Sequence, residues 1–283
     1  MKSARTNLII GGACIAIGVY QLYIILNKKK NKKSSVGSPH PALKSTIYSK
    51  CSYLDYNAST PIFPEVCQLM NECSTMCFGN PSSSHVFGVR CKEVMNTARK
   101  QVMDFINSPS PENIVFVSSG SEADNRAIDM ALNYFSQVNQ TTSTPEIVTI
   151  AIEHPAILKY LKHLQKLSKI KLVVLPVDYQ GFAAPNDVHK ALNQNTALVT
   201  VMHANNEIGT IQPLSEISAI IKKFNAENNF RVLFHTDAAQ SLGKIPLDVQ
   251  ALSLDLVTIV GHKFGASKGV GALYINPDIR YDR

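Results

Sequence analysis

Short, continuous apolar runs alternate along the chain with stretches in which apolar residues recur every three or four positions. The runs are IVFVS, IVTIAI, KLVVLPV, ALVTVM, RVLFHT, LDLVTIV and VGALYI. Their length and their Val, Ile and Leu content predict seven strands buried on both faces. Upstream of the first run, Phe87, Cys91, Val94, Ala98, Val102 and Phe105 are spaced three and four apart, which predicts an amphipathic helix. Ala123, Ala127, Met130 and Ala131 mark a second helix, a third runs from about Pro155 to Leu167, and PLSEISAIIKKFNAEN reads as a fourth. Strands alternating with helices predict an α/β fold with a mostly parallel sheet covered on both faces. Sheets of this kind bind ligands beyond the carboxyl ends of their strands.

The pattern breaks down before residue 51. Asn7 to Leu26 reads NLIIGGACIAIGVYQLYIIL, an uncharged and mostly apolar stretch followed by NKKKNKK. Its length matches the roughly 20 residues that cross a bilayer core. It exceeds the apolar region of a signal peptide, and Arg and Ser are too sparse for a mitochondrial presequence. The expectation is a membrane anchor over residues 1–33, a Ser/Pro linker over 34–50 and a globular domain over 51–283. The lysines after the apolar stretch outnumber the basic residues before it, which places the body on the cytosolic side. A buried terminal helix is the alternative, with the protein in the cytosol or mitochondrion.

Charge changes the picture only locally. The formal net charge is +7, from 28 Lys and Arg against 21 Asp and Glu. Nine of those basic residues precede Tyr53 and no acidic one does, leaving 19 basic against 21 acidic in the body. The basicity belongs to the leader, so no nucleic-acid partner is expected. The six cysteines lack the paired spacing of a zinc site, and no metal is expected.

The candidate chemistry sits at the predicted strand ends. IVFV runs into SSGSEADN, where Gly120 and Ser121 open a helix and offer N–H groups and a hydroxyl to an anion; a simple helix cap explains the serines equally well. IVTIAI ends in EHPA with His154, ALVTVM in HANNEIG with Asn206, RVLFH in TDAAQ with Asp237, Ala239 and Gln240, and LDLVTIV in GHK with His262 and Lys263. No GxGxxG or GxxxxGK[ST] is present, so dinucleotide and P-loop readings have no motif. One cofactor asks for an anion cradle, a lysine and a carboxylate on one rim: pyridoxal 5'-phosphate, which needs an amine for its aldehyde and an acid for its ring nitrogen.

The ordered segments YLDYNASTP, GNPSSSHVFG, SSGSEADN, EHPA, MHANNEIG, HTDAAQSLGK and GHK resemble those of class V aminotransferase-fold enzymes, the cysteine desulfurase and selenocysteine lyase group in particular. The resemblance runs from about Tyr53 to Ile275 and implies the large domain of fold type I pyridoxal-phosphate enzymes. It implies that Lys263 carries the cofactor and acts as the base. Asp237 would pair with the ring nitrogen, and Gln240 and Asn206 with the phenolic oxygen. His154 would stack on the ring and move protons, with Ala239 beneath the opposite face, while Gly120, Ser121 and His262 would reach the phosphate. Lys268 has no counterpart. The implied reaction removes sulfur or selenium from cysteine or selenocysteine to leave alanine, in a homodimer.

Two departures qualify the resemblance. Val260 replaces a serine common in cysteine desulfurases, and TIVGHKF with the loop SQVNQTTSTPE lies closer to selenocysteine lyases. Members of the group also continue for more than a hundred residues past the lysine, into a smaller domain with a mobile catalytic cysteine and a substrate-binding arginine. Here Arg283 follows Lys263 by about twenty residues, and none of the six cysteines matches the catalytic one. The expectation is therefore a short isoform, a fragment or a truncated gene model of such an enzyme. The alternative is a non-catalytic binding or regulatory subunit that pairs with a full-length copy.

Overall fold

The computed structural model describes residues 52–139, 143–228 and 230–279. The expected anchor and linker lie outside them. Among the described residues no helix is long and apolar enough to cross a membrane.

Two helices, α1 (Pro64–Met76) and α2 (Val86–Ile106), precede the sheet. Strand β1 (Ile114–Val117) then leads into α3 (Gly120–Asn139), and β2 (Glu146–Ile150) into α4 (Pro155–Lys166). Next come β3 (Lys171–Leu175), α5 (Pro185–Ala191), β4 (Thr196–Thr200) and α6 (Leu214–Asn228), followed by β5 (Leu233–Asp237), β6 (Leu256–Val260) and β7 (Gly271–Ile275). All seven apolar runs are strands of one sheet, in the order β1-β7-β6-β5-β4-β2-β3. Pairings among β2 to β6 are parallel, and β7 is antiparallel to both of its neighbours. Only β7 is therefore reversed, and the carboxyl ends of the other six share one edge.

Alternation along each strand separates two apolar layers. Ile147, Leu198, Leu233, Leu256 and Leu273 face Ala123, Ala127 and Ala131 of α3 and Ile157 and Leu161 of α4. Val148, Val199, Phe234, Val257 and Tyr274 face the opposite layer, with Val102 and Ile106 of α2 and Ile217 and Ile221 of α6. The three alanines are fully buried, and their small side chains let α3 lie close against the strands.

The expected stripe on α2 holds at Cys91, Ala98 and Val102 and differs at its ends, where Gly88 and Ile106 are buried rather than Phe87 and Phe105. Its buried positions are Gly88, Cys91, Ala98, Val102 and Ile106, while Phe87 is 54% exposed and stacks on Phe78 with ring centroids 5.6 Å apart. The helix begins at the His85 cap, whose Nδ1 accepts from Gly88 N at 3.4 Å. Gly88 must face inward there, because a Cβ would stand 2.5 Å from the carbonyl oxygens of Asn80 and Ser83.

Candidate active site

Five of the parallel strands deliver their next residues to a single cleft of about 460 Å³. All nine residues singled out in the sequence line it: Gly120, Ser121, His154, Asn206, Asp237, Ala239, Gln240, His262 and Lys263. Lys268 is exposed and does not line it.

At the end of β1 the serines divide their work. Ser119 caps α3, its Oγ accepting from Glu122 N at 3.1 Å, while Ser118 N and Oγ donate to Glu122 Oε2 at 2.7 and 2.6 Å. These exchanges satisfy the helix start in the manner of a capping box. Ser121, one position into α3, is exposed and faces the cleft. Gly120 is needed for close approach, since a Cβ would stand 2.5 Å from Val260 Cγ2 at the end of β6. The helix N-terminus therefore opens into the cleft with its partial positive charge.

His154 caps α4 ahead of Pro155, its Nδ1 accepting from Ala156 N at 3.1 Å. An Nδ1 used as acceptor leaves the ring proton on Nε2. At the end of β4 the two asparagines separate. Asn205 is structural, donating from Nδ2 to Ile152 O at 3.0 Å and accepting from Glu207 N and Ile208 N. Asn206 lines the cleft.

Asp237 is the last residue of β5, and its Oδ1 accepts from Ala239 N at 2.8 Å. Burial pushes its carboxyl above the usual range, opposed by the Ala239 N–H and by the nearby His154 ring and Lys263 amine. Lys263 is half-buried, and burial draws its amine below the usual lysine range against the opposing pull of Asp237 and Asp55. Its Nζ donates to the Asn57 carbonyl at 2.7 Å, and Gln240 Nε2 donates to the same oxygen at 2.9 Å. Gln240 Oε1 in turn accepts from Lys244 Nζ at 2.8 Å. His262 is held below its ordinary value by burial and by the flanking Lys263 and Lys268 charges.

Some cleft residues escaped the sequence reading. The segment after Tyr53 folds back over the site: Thr60 N donates to His262 O at 2.8 Å, and Phe63 N to Gly265 O at 3.0 Å. Asn57 contributes only a backbone oxygen, which no side-chain pattern announces. Asp124 also lines the cleft, and buried Glu153 lies behind it beside His154. The signal for Asp124 was an acid next to Ala123 and Ala127 on the buried face of α3.

The donor set fits pyridoxal phosphate. An anion site at a helix start, a buried carboxylate and an amine of lowered basicity share one cleft, as a ring cation, a phosphate and an aldehyde require together.

The fold and cleft define a chain of the pyridoxal-phosphate α/β class. The sequence pattern of the family described as aminotransferase class-V matches residues 52–281, and the chain belongs to that family, whose cofactor is pyridoxal 5'-phosphate. The chain is 43% identical over 223 residues to cysteine desulfurase IscS of Dictyoglomus turgidum, covering 79% of this chain and 53% of the relative. It is 40% identical over 240 residues to selenocysteine lyase of Rattus norvegicus, covering 79% of this chain and 55% of the relative. Among solved structures it resembles a NifS-like protein (TM-score 0.73, 34% identity, 80% of this chain and 59% of the other). SspA in complex with cysteine is similar (TM-score 0.72, 32% identity, 80% and 61%). The chain spans about half the length of the curated relatives it matches.

Proposed function

We propose that this chain forms the cofactor-binding part of an enzyme that removes sulfur or selenium from cysteine or selenocysteine. The observation that carries the reading is the meeting of Lys263, Asp237 and the start of α3 in one cleft. Relatives named for both substrates support the reaction class and leave the two amino acids as one substrate class.

Pyridoxal phosphate, when bound, supplies an aldehyde that bonds to an amino group and a ring that takes up the electrons left at the adjacent carbon. Residues of this chain hold it and move protons. The N–H groups at Gly120 and Ser121, the Ser121 hydroxyl and His262 would bind the phosphate. Asp237 would hold its carboxylate against the ring nitrogen and keep that nitrogen protonated. Gln240 and Asn206 have amide donors for the phenolic oxygen, while His154 and Ala239 would bracket the ring. Lys263 would take the proton from Cα of the substrate, a task that suits an amine drawn below its ordinary basicity. Residues 7–26 would anchor the chain to a membrane and a second copy would complete a homodimer. Extraction at high pH and sedimentation respectively test those two expectations.

The test is to incubate the chain with pyridoxal phosphate, reduce with borohydride and map the modified peptide by mass spectrometry. Label on Lys263, absent from Lys263→Ala, is the expected result. An unlabelled Lys263 in folded protein would overturn the cofactor assignment.

A further inference from the structure

Three carboxyl groups are buried at the cleft, Asp124 and Asp237 lining it and Glu153 beside His154. Asp237 is 5% exposed, Asp124 on α3 is 1% exposed, and Glu153 after β2 is 4% exposed. Asp124 Oδ1 and Glu153 Oε1 have no hydrogen-bond partner. Nothing in the cofactor-holding set uses either acid, although Asp124 lines the cleft that Asp237 also lines. Each acid keeps hydrogen bonds elsewhere, Asp124 from the Thr258 side chain and Glu153 from the His154 and Met202 N–H groups, but buried carboxylates this close to a third cannot all ionise.

Among the described residues, Lys263 is the cation that reaches the cluster, and it does so from the side of Asp237. His235 Nε2 stands 4.0 Å from Asp124 Oδ1, but the ring is fully buried and burial takes it down to about 3. The ring is therefore neutral, and the contact is not an ion pair. His235 is already engaged by Thr200 Oγ1 at 2.8 Å and Thr258 Oγ1 at 3.1 Å. His203 is likewise buried and drawn below its ordinary value by burial. Glu153 Oε2 accepts from His154 N at 3.2 Å, and burial with the Asp237 charge raises the group to about 8. Burial, with the Asp237 and Glu153 charges, also holds Asp124 well above the usual carboxylate range against a hydrogen bond from the Thr258 side chain. The His154 ring, like Lys263, lies on the side of Asp237.

We propose that Asp124, Glu153 and Asp237 share protons as one buried cluster, which gives up a proton when a ring cation docks against Asp237. The docked charge makes the Asp237 carboxylate favourable, so the O–H bond of one carboxyl breaks and leaves its electron pair on oxygen. The ring arrives as a cation that already carries its proton, so the proton given up by the cluster passes to solvent. Asp124 and Glu153 are thus positioning residues: they act through Asp237 and set the charge it carries before the ligand comes. The inference rests on the cofactor reading above.

The experiment uses pyridoxine 5'-phosphate, which has the ring and phosphate but no aldehyde to react with Lys263. Calorimetry on the full chain at pH 7, in two buffers of different ionisation enthalpy, counts the protons exchanged on binding. Release of about one proton is expected, with affinity rising about tenfold per pH unit between pH 6.5 and about 7.5. Asp124→Asn and Glu153→Gln, amides that imitate neutral acids, should each lower the proton count, and the double variant should abolish it while still binding. A purely structural role would leave that count unchanged. Binding with no proton release by the wild type overturns the cluster, as does an equal count in a folded variant; the wild-type measurement stands even if a variant fails to fold. Failure of the wild type to bind the probe at all would instead sink the cofactor reading, and the cluster's role with it.

Discussion

Replacing Thr60 by Val should loosen the segment that closes over Lys263. Thr60 Oγ1 donates to His262 O at 3.0 Å and accepts from Gly265 N at 2.8 Å, so one hydroxyl holds both sides of the lysine turn. Valine keeps the branched shape but leaves the buried Gly265 N–H without its acceptor. Such an orphaned donor costs roughly 1–3 kcal/mol. Taking about 2 kcal/mol, opening of the 57–63 segment against 262–265 should become about 30-fold more frequent. Amide hydrogen exchange at Gly265 and Phe63, whose N–H donates to Gly265 O, reads that opening directly. Thr60→Ser keeps the hydroxyl and should stay near wild type. Protection in Thr60→Val within twofold of wild type would refute this role for the hydroxyl, and so would a Ser variant as loose as the Val one.

At the opposite edge of the sheet, Arg231 pairs with Asp255 at 2.8 Å and with Asp278 at 3.0 Å, and Asp255 also accepts from Phe234 N at 2.9 Å. Arg231→Met strands a buried carboxylate and should cost about 3 kcal/mol, seen as a Tm lower by about 6–12 °C; adding Asp255→Asn should recover part of the loss, and no recovery would count against the ion-pair explanation. Stability without cofactor should also depend on pH. Glu153 rises from 4.5 to about 8 on folding, so the folded state is favoured below pH 4.5 and the benefit is lost as pH climbs to 8. The loss is on the order of 5 kcal/mol. Urea unfolding between pH 5 and 8 should show that slope in the wild type and a flatter one in Glu153→Gln; parallel slopes would refute it.

Much of this fold was legible because the strands are buried on both faces. Runs such as IVTIAI and LDLVTIV have no polar face to confuse the reading, and each became a strand. The site was legible for a related reason: a parallel sheet places strand ends together, so the residues immediately after each apolar run mark out the cleft. Phe87 misled because an aromatic at helical spacing looks like core, whereas here it pairs with Phe78 on the surface. Asn57 was hidden because its contribution is a carbonyl, identical in every residue, brought 206 positions along the chain to Lys263. Asp124 and Glu153 were hidden because only the packing reveals that their oxygens lack partners. The leader's apolar stretch lies outside the described residues and remains an expectation.

The placement of β1 beside β7 also sets an order of events during synthesis. Among the described residues the first strand, β1, has the last one, β7, as its sheet neighbour, so it waits for more than a hundred and fifty residues to be made. Until then its edge is bare, and α3, whose start opens into the cleft, has only part of its platform. The Asn57 carbonyl likewise waits for Gln240 and Lys263. A growing chain can therefore bring the ends of β2, β4, β5 and β6 together before β7 is made, and the α3 side of the cleft is the part that closes last.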